Sequence, residues 1–178
     1  MAIRGKPKKL DADGLWNYAL RALGGRAHSA NELKQKLSRR AESPEALNAI
    51  VAKLAEYSFT DDSKFSETLA SARLQSQGFG RFRVLNELRT KRVAQPVAEA
   101  AIEKAYAGTE EMELIRKFLD RKYRGKNLAT FLSEQKNLSS AYRRLRVAGF
   151  SSGGSLSVLK GYSTQVDETN PPEDEELA

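Results

Sequence analysis

The chain has 178 residues, 40% of them hydrophobic and 30% charged, which supplies apolar material for a core but length for only one or two ordinary domains. It has no Cys and only one His, His28, which excludes a disulfide framework, a thiolate zinc site, a cysteine nucleophile and a histidine metal cluster. Its 30 Lys and Arg exceed 23 Asp and Glu; Asp167, Glu168, Glu173, Asp174, Glu175 and Glu176 all lie beyond residue 160, so the rest carries 30 basic against 17 acidic side chains. A body that basic suits a polyanion such as nucleic acid, or an acidic protein surface.

In chain order, residues 1–12 (MAIRGKPKKLDA) read as a flexible basic N-terminus without the apolar stretch of a secretory signal. No apolar run reaches the roughly 18 residues needed to span a bilayer, so the expected location is the cytoplasm. From residue 13 onward the periodicity is helical. Trp16, Ala19, Leu20 and Leu23 recur at i, i+3, i+4, i+7, as do Leu47, Ile50, Val51 and Leu54. Start signals agree: Ser29 stands three before Glu32, Ser43 precedes Pro44 and Glu45, and Thr109 precedes Glu110 and Glu111. Gly24-Gly25, Gly78, Gly108, Gly125 and Gly149 read as stops. Helices are predicted over 13–23, 30–39, 44–57, 61–76, 81–91, 96–107, 110–123, 128–148, with a break near Asn137, and 154–160. Leu33, Leu37, Ile50, Leu54, Leu85 and Leu88 are the predicted core.

The helices repeat with a period of about fifty residues, the signature of stacked helical units. Leu33, Leu37 and Arg40 match Val84, Leu88 and Lys91. A third copy aligns Tyr142 to Leu145 with Leu85 to Leu88, which sets Val147-Ala148-Gly149-Phe150 against Thr90-Lys91-Arg92-Val93. The expected fold is all-α: three tandem three-helix repeats over 13–60, 61–108 and 109–160, stacked into an elongated, curved body. Residues 161–178 combine few apolar residues with a Pro pair and a block of acids, the composition of a disordered acidic tail. That tail reads either as a competitor of the polyanion or as a solvated end that keeps the chain soluble.

Gly78-Phe79-Gly80 lacks the preceding strand and the Lys-Ser/Thr of a phosphate loop, so it reads as a turn with Phe79 folded onto the core. His28 reads as a partly exposed ring beside a helix start. Asp61 and Asp62 read as first-turn caps rather than a paired-carboxylate site. No residue set suits catalysis, a cofactor or a metal, so no enzyme is expected. The basic residues stand out instead. Arg73, Arg81, Arg83, Arg89, Lys91 and Arg92 face a single acid, Glu87, and ten Lys or Arg between Arg116 and Arg146 face only Asp120 and Glu134. On a 100° helical wheel Arg83 and Arg89 point away from Val84, Leu85 and Leu88, and Arg143 and Arg144 away from Tyr142 and Leu145.

Ala19 to Leu37 (ALRALGGRAHSANELKQKL), Asp61-Asp62 with Phe65, then Arg73, and Gly78 to Val93 (GFGRFRVLNELRTKRV) together resemble the RecX regulatory proteins, bacterial modulators of the RecA recombinase. The resemblance covers about residues 13–160. Arg81 stands where the family usually has Pro, and Lys91-Arg92-Val93 where it usually has Lys-Gly-Ile, so the second repeat's helix end lacks its glycine stop. The resemblance implies a helical-repeat protein that docks along the groove of the RecA–DNA filament, and a monomer is expected. It implies inhibition of strand exchange, ATPase and coprotease activities in recombinational DNA repair and the SOS response, without chemistry of its own. Single-stranded or double-stranded DNA would be met within the filament. The residues expected to bind filament or DNA are Arg73, Arg81, Arg83, Arg89, Lys91, Arg92, Arg143, Arg144 and Arg146. The alternative is a direct DNA-binding protein built from tandem helix-turn-helix-like modules.

Overall fold

The computed structural model describes residues 9–162, so the acidic tail from 163 on and most of the basic N-terminal run lie outside the described residues. Ten helices make up the regular structure within them: α1 (Ala12–Gly25), α2 (Ala30–Ser38), α3 (Pro44–Glu56), α4 (Asp62–Gln77), α5 (Arg81–Thr90), α6 (Gln95–Ala105), α7 (Glu111–Lys122), α8 (Leu128–Leu132), α9 (Gln135–Val147) and α10 (Ser152–Tyr162). The fold is all-α, as the periodicity predicts. Its one extended pairing among the described residues is a bridge in which the Leu10 N–H donates to Arg40 O (2.7 Å) and the Glu42 N–H to Leu10 O (3.0 Å). The chain forms two compact units, one holding the residues up to Ala70 with Leu85–Ala105, the other Ser71–Val84 with the residues from Tyr106 on.

In the first unit α1 and α2 pack on α3 around Leu15, Ala19, Leu33, Leu37, Ala41, Ile50 and Leu54. Helices this short are marginal alone and depend on caps and packing. Asp11 accepts from the Gly14 N–H (2.9 Å), Ser29 from Glu32 (3.1 Å) and Ser43 from Ala46 (3.1 Å), caps worth about 1 kcal/mol each. Five of the six predicted core leucines and isoleucines are buried, whereas Leu85 is half-buried because Val84 and Leu88 take the inner positions of α5. The α1 seam runs through Leu15 and the predicted Ala19, with the predicted Trp16 and Leu23 partly buried against the same core and the Trp16 ring 5.9 Å from that of Tyr57.

Asp61 caps α4 as predicted, accepting from the Lys64 N–H at 2.9 Å. Asp62 does something else: its Oδ1 accepts from the Ala30 N–H at 2.7 Å and so satisfies the start of α2. The Ser29 hydroxyl donates to the Lys91 carbonyl, and Asn31 Nδ2 to the Arg92 carbonyl at 3.0 Å. His28 is 3% exposed rather than partly exposed, because α2's first turn is covered by these contacts. Its Nδ1 lies 3.1 Å from Glu32, which Arg26 also grips at 2.7 and 3.1 Å.

The Arg26 hydrogen bonds hold the Glu32 carboxyl at about 2, below its ordinary 4.5, with further help from His28 and Lys91. Burial pushes His28 below its ordinary 6.5 despite the Glu32 contact. Both groups therefore bind fewer protons folded than unfolded. Stability is complete above those ordinary values and declines as pH falls, first below 6.5 through His28, then from 4.5 towards 2 through Glu32. Urea melts from about pH 7 to about pH 3 should show this decline, and Glu32→Gln should flatten its lower part. An unchanged slope below pH 4.5 in that variant would assign the acid sensitivity to other carboxylates.

Three helices end on the same pair of hydrogen bonds around a left-handed residue: Ser58 (φ 55°), Arg92 (φ 62°) and Gly149 (φ 88°). In each, that residue's N–H reaches back three positions and the next N–H five: Ser58 to Ala55 and Phe59 to Leu54, Arg92 to Arg89 and Val93 to Leu88, Gly149 to Arg146 and Phe150 to Leu145. The second and third of these are the pair that the sequence alignment sets against each other. Arg92 thus occupies a position where glycine is the unstrained choice, the glycine stop the sequence lacks. Arg92→Gly should raise stability by about 0.5–1 kcal/mol in denaturant melts, the relief of the left-handed backbone outweighing the extra freedom that glycine gives the unfolded chain.

The second unit packs α7, α8, α9 and α10 around Ile115, Leu119, Leu132, Leu145, Phe150 and Leu159, with Phe79 folded onto this core as predicted. The predicted helix over 128–148 is two helices separated by Ser133-Glu134. Asn137 Nδ2 stabilises the break by donating to the Phe131 carbonyl at 3.0 Å and to Glu134 at 2.9 Å. Thr109 does not cap α7, whose N-cap is Glu110 without a side-chain hydrogen bond. Glu111 instead accepts from the Ser151 N–H at 2.8 Å and from its hydroxyl, while Ser151 Oγ caps α10 through the Gly154 N–H at 3.0 Å.

Candidate functional site

Within the second unit the end of α4, the Phe79 turn, the first turn of α5, α7 and α9 enclose a groove of about 710 Å³. Arg83, Arg121, Lys122, Arg143 and Arg144 line it together with Phe79, Phe118, Ser76, Gln77, Ser140, Val147 and Ala148, and no acid is in the lining. Among the described residues none of these five cations is paired with a carboxylate. Like charges held together at the surface are kept apart from their own counter-charges at a cost, and an incoming anion relieves it.

The geometry of the groove is set from the backbone outward. Gly80 lies against Gly149: a Cβ on Gly80 would come within 2.1 Å of Gly149 O, and one on Gly149 within 2.2 Å of Arg83 N. The Gly80 N–H donates to Ala148 O at 2.8 Å, and the Phe82 N–H to Gly149 O at 3.1 Å. That close approach fixes the start of α5 on the end of α9. It brings the Arg83 guanidinium over the Phe79 ring, 3.9 Å from its centroid, with Nη1 donating to Val147 O at 3.1 Å. Across the groove Arg121 lies 5.7 Å from the Phe118 centroid and donates to the Gln77 carbonyl. Arg144 sits 5.9 Å from the Tyr123 centroid. Guanidinium groups held on rings and carbonyls keep several N–H donors for a ligand and lose little freedom on binding one.

The nine sequence-predicted positions fall in different places. Arg83, Arg143 and Arg144 line the groove. Arg81 and Arg146, of the same unit, are turned towards the protein: Arg81 Nη2 donates to Tyr106 O at 3.4 Å and lies 5.6 Å from that ring's centroid, and Arg146 Nη1 donates to Phe150 O at 2.7 Å. The Tyr106 hydroxyl is pushed up to about 12 by burial and donates to Phe79 O at 2.7 Å. Arg73 is half-buried in the same unit. Arg89, Lys91 and Arg92 belong to the other unit, Arg89 and Arg92 exposed and Lys91 beside Glu32 at 3.8 Å. Arg121 and Lys122 were not singled out from sequence, although their place three and four residues after Phe118 puts all three on one face of α7.

The described residues hold no group of His, Cys, Asp and Glu that would bind a metal, and no helix long and apolar enough to cross a membrane.

Comparison with known proteins places the chain in one lineage. Residues 16–54 match the model of the RecX first three-helix domain, and residues 61–102 that of the RecX second three-helix domain. The regulatory protein RecX of Pelodictyon phaeoclathratiforme is 31% identical over 156 residues, 78% of this chain and 93% of the relative. That of Deinococcus radiodurans is 30% identical over 174 residues, 97% of this chain and 78% of the relative. The crystal structure of RecX from Lactobacillus salivarius has the same fold, with a TM-score of 0.64 at 17% identity, covering 85% of this chain and 96% of that one. With two domain models and a near full-length relative in agreement, this chain belongs to the RecX family of regulatory proteins.

Proposed function

We propose that this protein binds the RecA–DNA filament in the cytoplasm, as a monomer, and inhibits RecA's strand exchange, ATPase and coprotease activities in recombinational DNA repair and the SOS response. The observation that carries the reading is the acid-free groove of Arg83, Arg121, Lys122, Arg143 and Arg144, a surface for DNA phosphates or for acidic side chains lining a filament. The exposed Arg89 and Arg92 of the other unit add a second point of attachment. Several weak contacts carried on one chain multiply in affinity. Regulation follows from unequal affinity for different filament states, since a ligand shifts an equilibrium only by that difference.

Co-sedimentation separates this from direct DNA binding. The protein should pellet with RecA filaments on single-stranded DNA at salt concentrations that abolish its binding to the DNA alone. If DNA without RecA pellets it equally well, and with a steep salt dependence of about 0.7 per phosphate neutralised, the tandem DNA-binding reading replaces the filament one.

A further inference from the structure

The groove has five cations and no carboxylate partner among the described residues, yet the same chain carries a block of six acids, Asp167, Glu168, Glu173, Asp174, Glu175 and Glu176. We propose that this acidic segment occupies the Arg83–Arg121–Lys122–Arg143–Arg144 groove in cis, so that the protein guards its own polyanion site with a built-in competitor.

The placement of α10 supports this occupant. Tyr162, its last residue, packs against the core of the second unit, and α10 lies on α7 and α9, two of the helices that form the groove. The acidic segment therefore leaves from the unit that carries the cations. Extended chain covers about 3.3–3.6 Å per residue, so Asp167 lies within about 18 Å of Tyr162 and Glu176 within about 50 Å. A unit of this size is only about 30 Å across. The segment as a whole is therefore long enough to span the unit that carries the groove.

Chemistry favours the same pairing. Carboxylates meet guanidinium groups in paired hydrogen bonds, and Arg83 and Arg121 are already braced on Phe79 and Phe118. A tethered ligand acts at an effective concentration of order millimolar, enough to hold a weak ionic contact largely closed. A DNA backbone, with charge at every nucleotide and release of counterions on binding, displaces it. The result is a threshold: isolated short or weakly charged ligands are refused, and a continuous polyanion is accepted. The competitor role rests on the proposed function, whereas the contact itself does not.

The test uses the full-length protein, as a mixture of light and heavy nitrogen-labelled chains, with a carbodiimide that joins carboxylates to amines in direct contact. Lys122 is the lysine of the groove. Cross-links from Glu173–Glu176 should concentrate on Lys122, within one chain. They should fall at least fivefold when Arg83 and Arg143 are both changed to Ala, with Lys122 left in place. Links spread evenly over the exposed lysines would overturn the proposal, and so would links joining light to heavy chains, which would put the segment of a second copy in the groove.

A paired measurement reads the consequence. With Glu173→Gln, Asp174→Asn, Glu175→Gln and Glu176→Gln together, binding to a fluorescent oligo-dT should tighten at least fivefold at about 50 mM salt, and the gain should vanish at about 500 mM. No gain at low salt would overturn the competitor role. Should neither protein bind oligo-dT, the DNA part of the proposed function fails, and the cross-link map still decides where the segment sits.

Discussion

Gly80→Ala should destabilise the protein by about 3 kcal/mol or more, well beyond the usual effect of a surface glycine. The added methyl would lie 2.1 Å from Gly149 O and 2.6 Å from Phe150 N, both backbone atoms, so no side-chain rotation can make room. Forcing extra volume into a closed contact typically costs about 1–3 kcal/mol, and here two backbone hydrogen bonds, Gly80 N–H to Ala148 O and Phe82 N–H to Gly149 O, would lengthen as well. Gly153→Ala is the control: it sits in α10 with nothing within 4 Å, and should stabilise by about 0.5–1 kcal/mol through helix propensity alone. Urea melts of the two variants compare them directly. Equal and small effects would show that the α5 start is not clamped on the end of α9. Because the clamp also positions Arg83, a Gly80→Ala protein that still folds at low temperature should inhibit RecA poorly.

Removing Lys122 and Arg143 together should weaken inhibition of RecA's DNA-dependent ATPase at least tenfold, about 1.4 kcal/mol. Both side chains are exposed, line the groove, and make no ion pair among the described residues. The loss can therefore be read as lost binding, and the melting curve should stay near that of the parent protein. The matched comparison replaces Arg4, Lys6, Lys8 and Lys9 by Ala, removing more charge from a run of which only Lys9 is among the described residues. If that variant loses inhibition while the Lys122→Ala, Arg143→Ala protein keeps it, net charge rather than the groove governs binding. Higher salt should shrink the difference between parent and groove variant, since screening weakens exposed ionic contacts.

Helix type and position were legible because the apolar spacing and the caps are local signals: Ser29, Ser43 and Asp61 each act within three residues of themselves. What stayed hidden is nonlocal. Asp62 looks like any first-turn acid, and nothing near it in sequence says that its carboxylate serves Ala30. Gly80 reads as the second half of a turn, whereas its role is to let the Gly149 backbone approach, 69 positions away. The same limit applies to the groove. The basic count draws attention to Arg83, Arg143 and Arg144, which line the groove, but charge alone does not distinguish them from Arg81 and Arg146, whose guanidinium groups hold backbone carbonyls. Arg121 and Lys122 lay in a run of ten cations with no local mark of which would converge. Phe118, one turn away on α7, is the mark in retrospect: an aromatic ring spaced to support an arginine.

The contact from Asp62 to the start of α2 bears on how such a protein can be taken apart. A fragment that stops at Thr60 keeps every residue of the Leu15–Leu54 core, yet it deletes the acceptor for the Ala30 N–H and the Lys91 carbonyl that receives the Ser29 hydroxyl. Helix α2, nine residues long, would then fray from its first turn. Residues 16–54, the stretch that matches the first three-helix domain, therefore cannot be exchanged between homologues by themselves: transplanted, they would need an acid at the position of Asp62 and a carbonyl at that of Lys91.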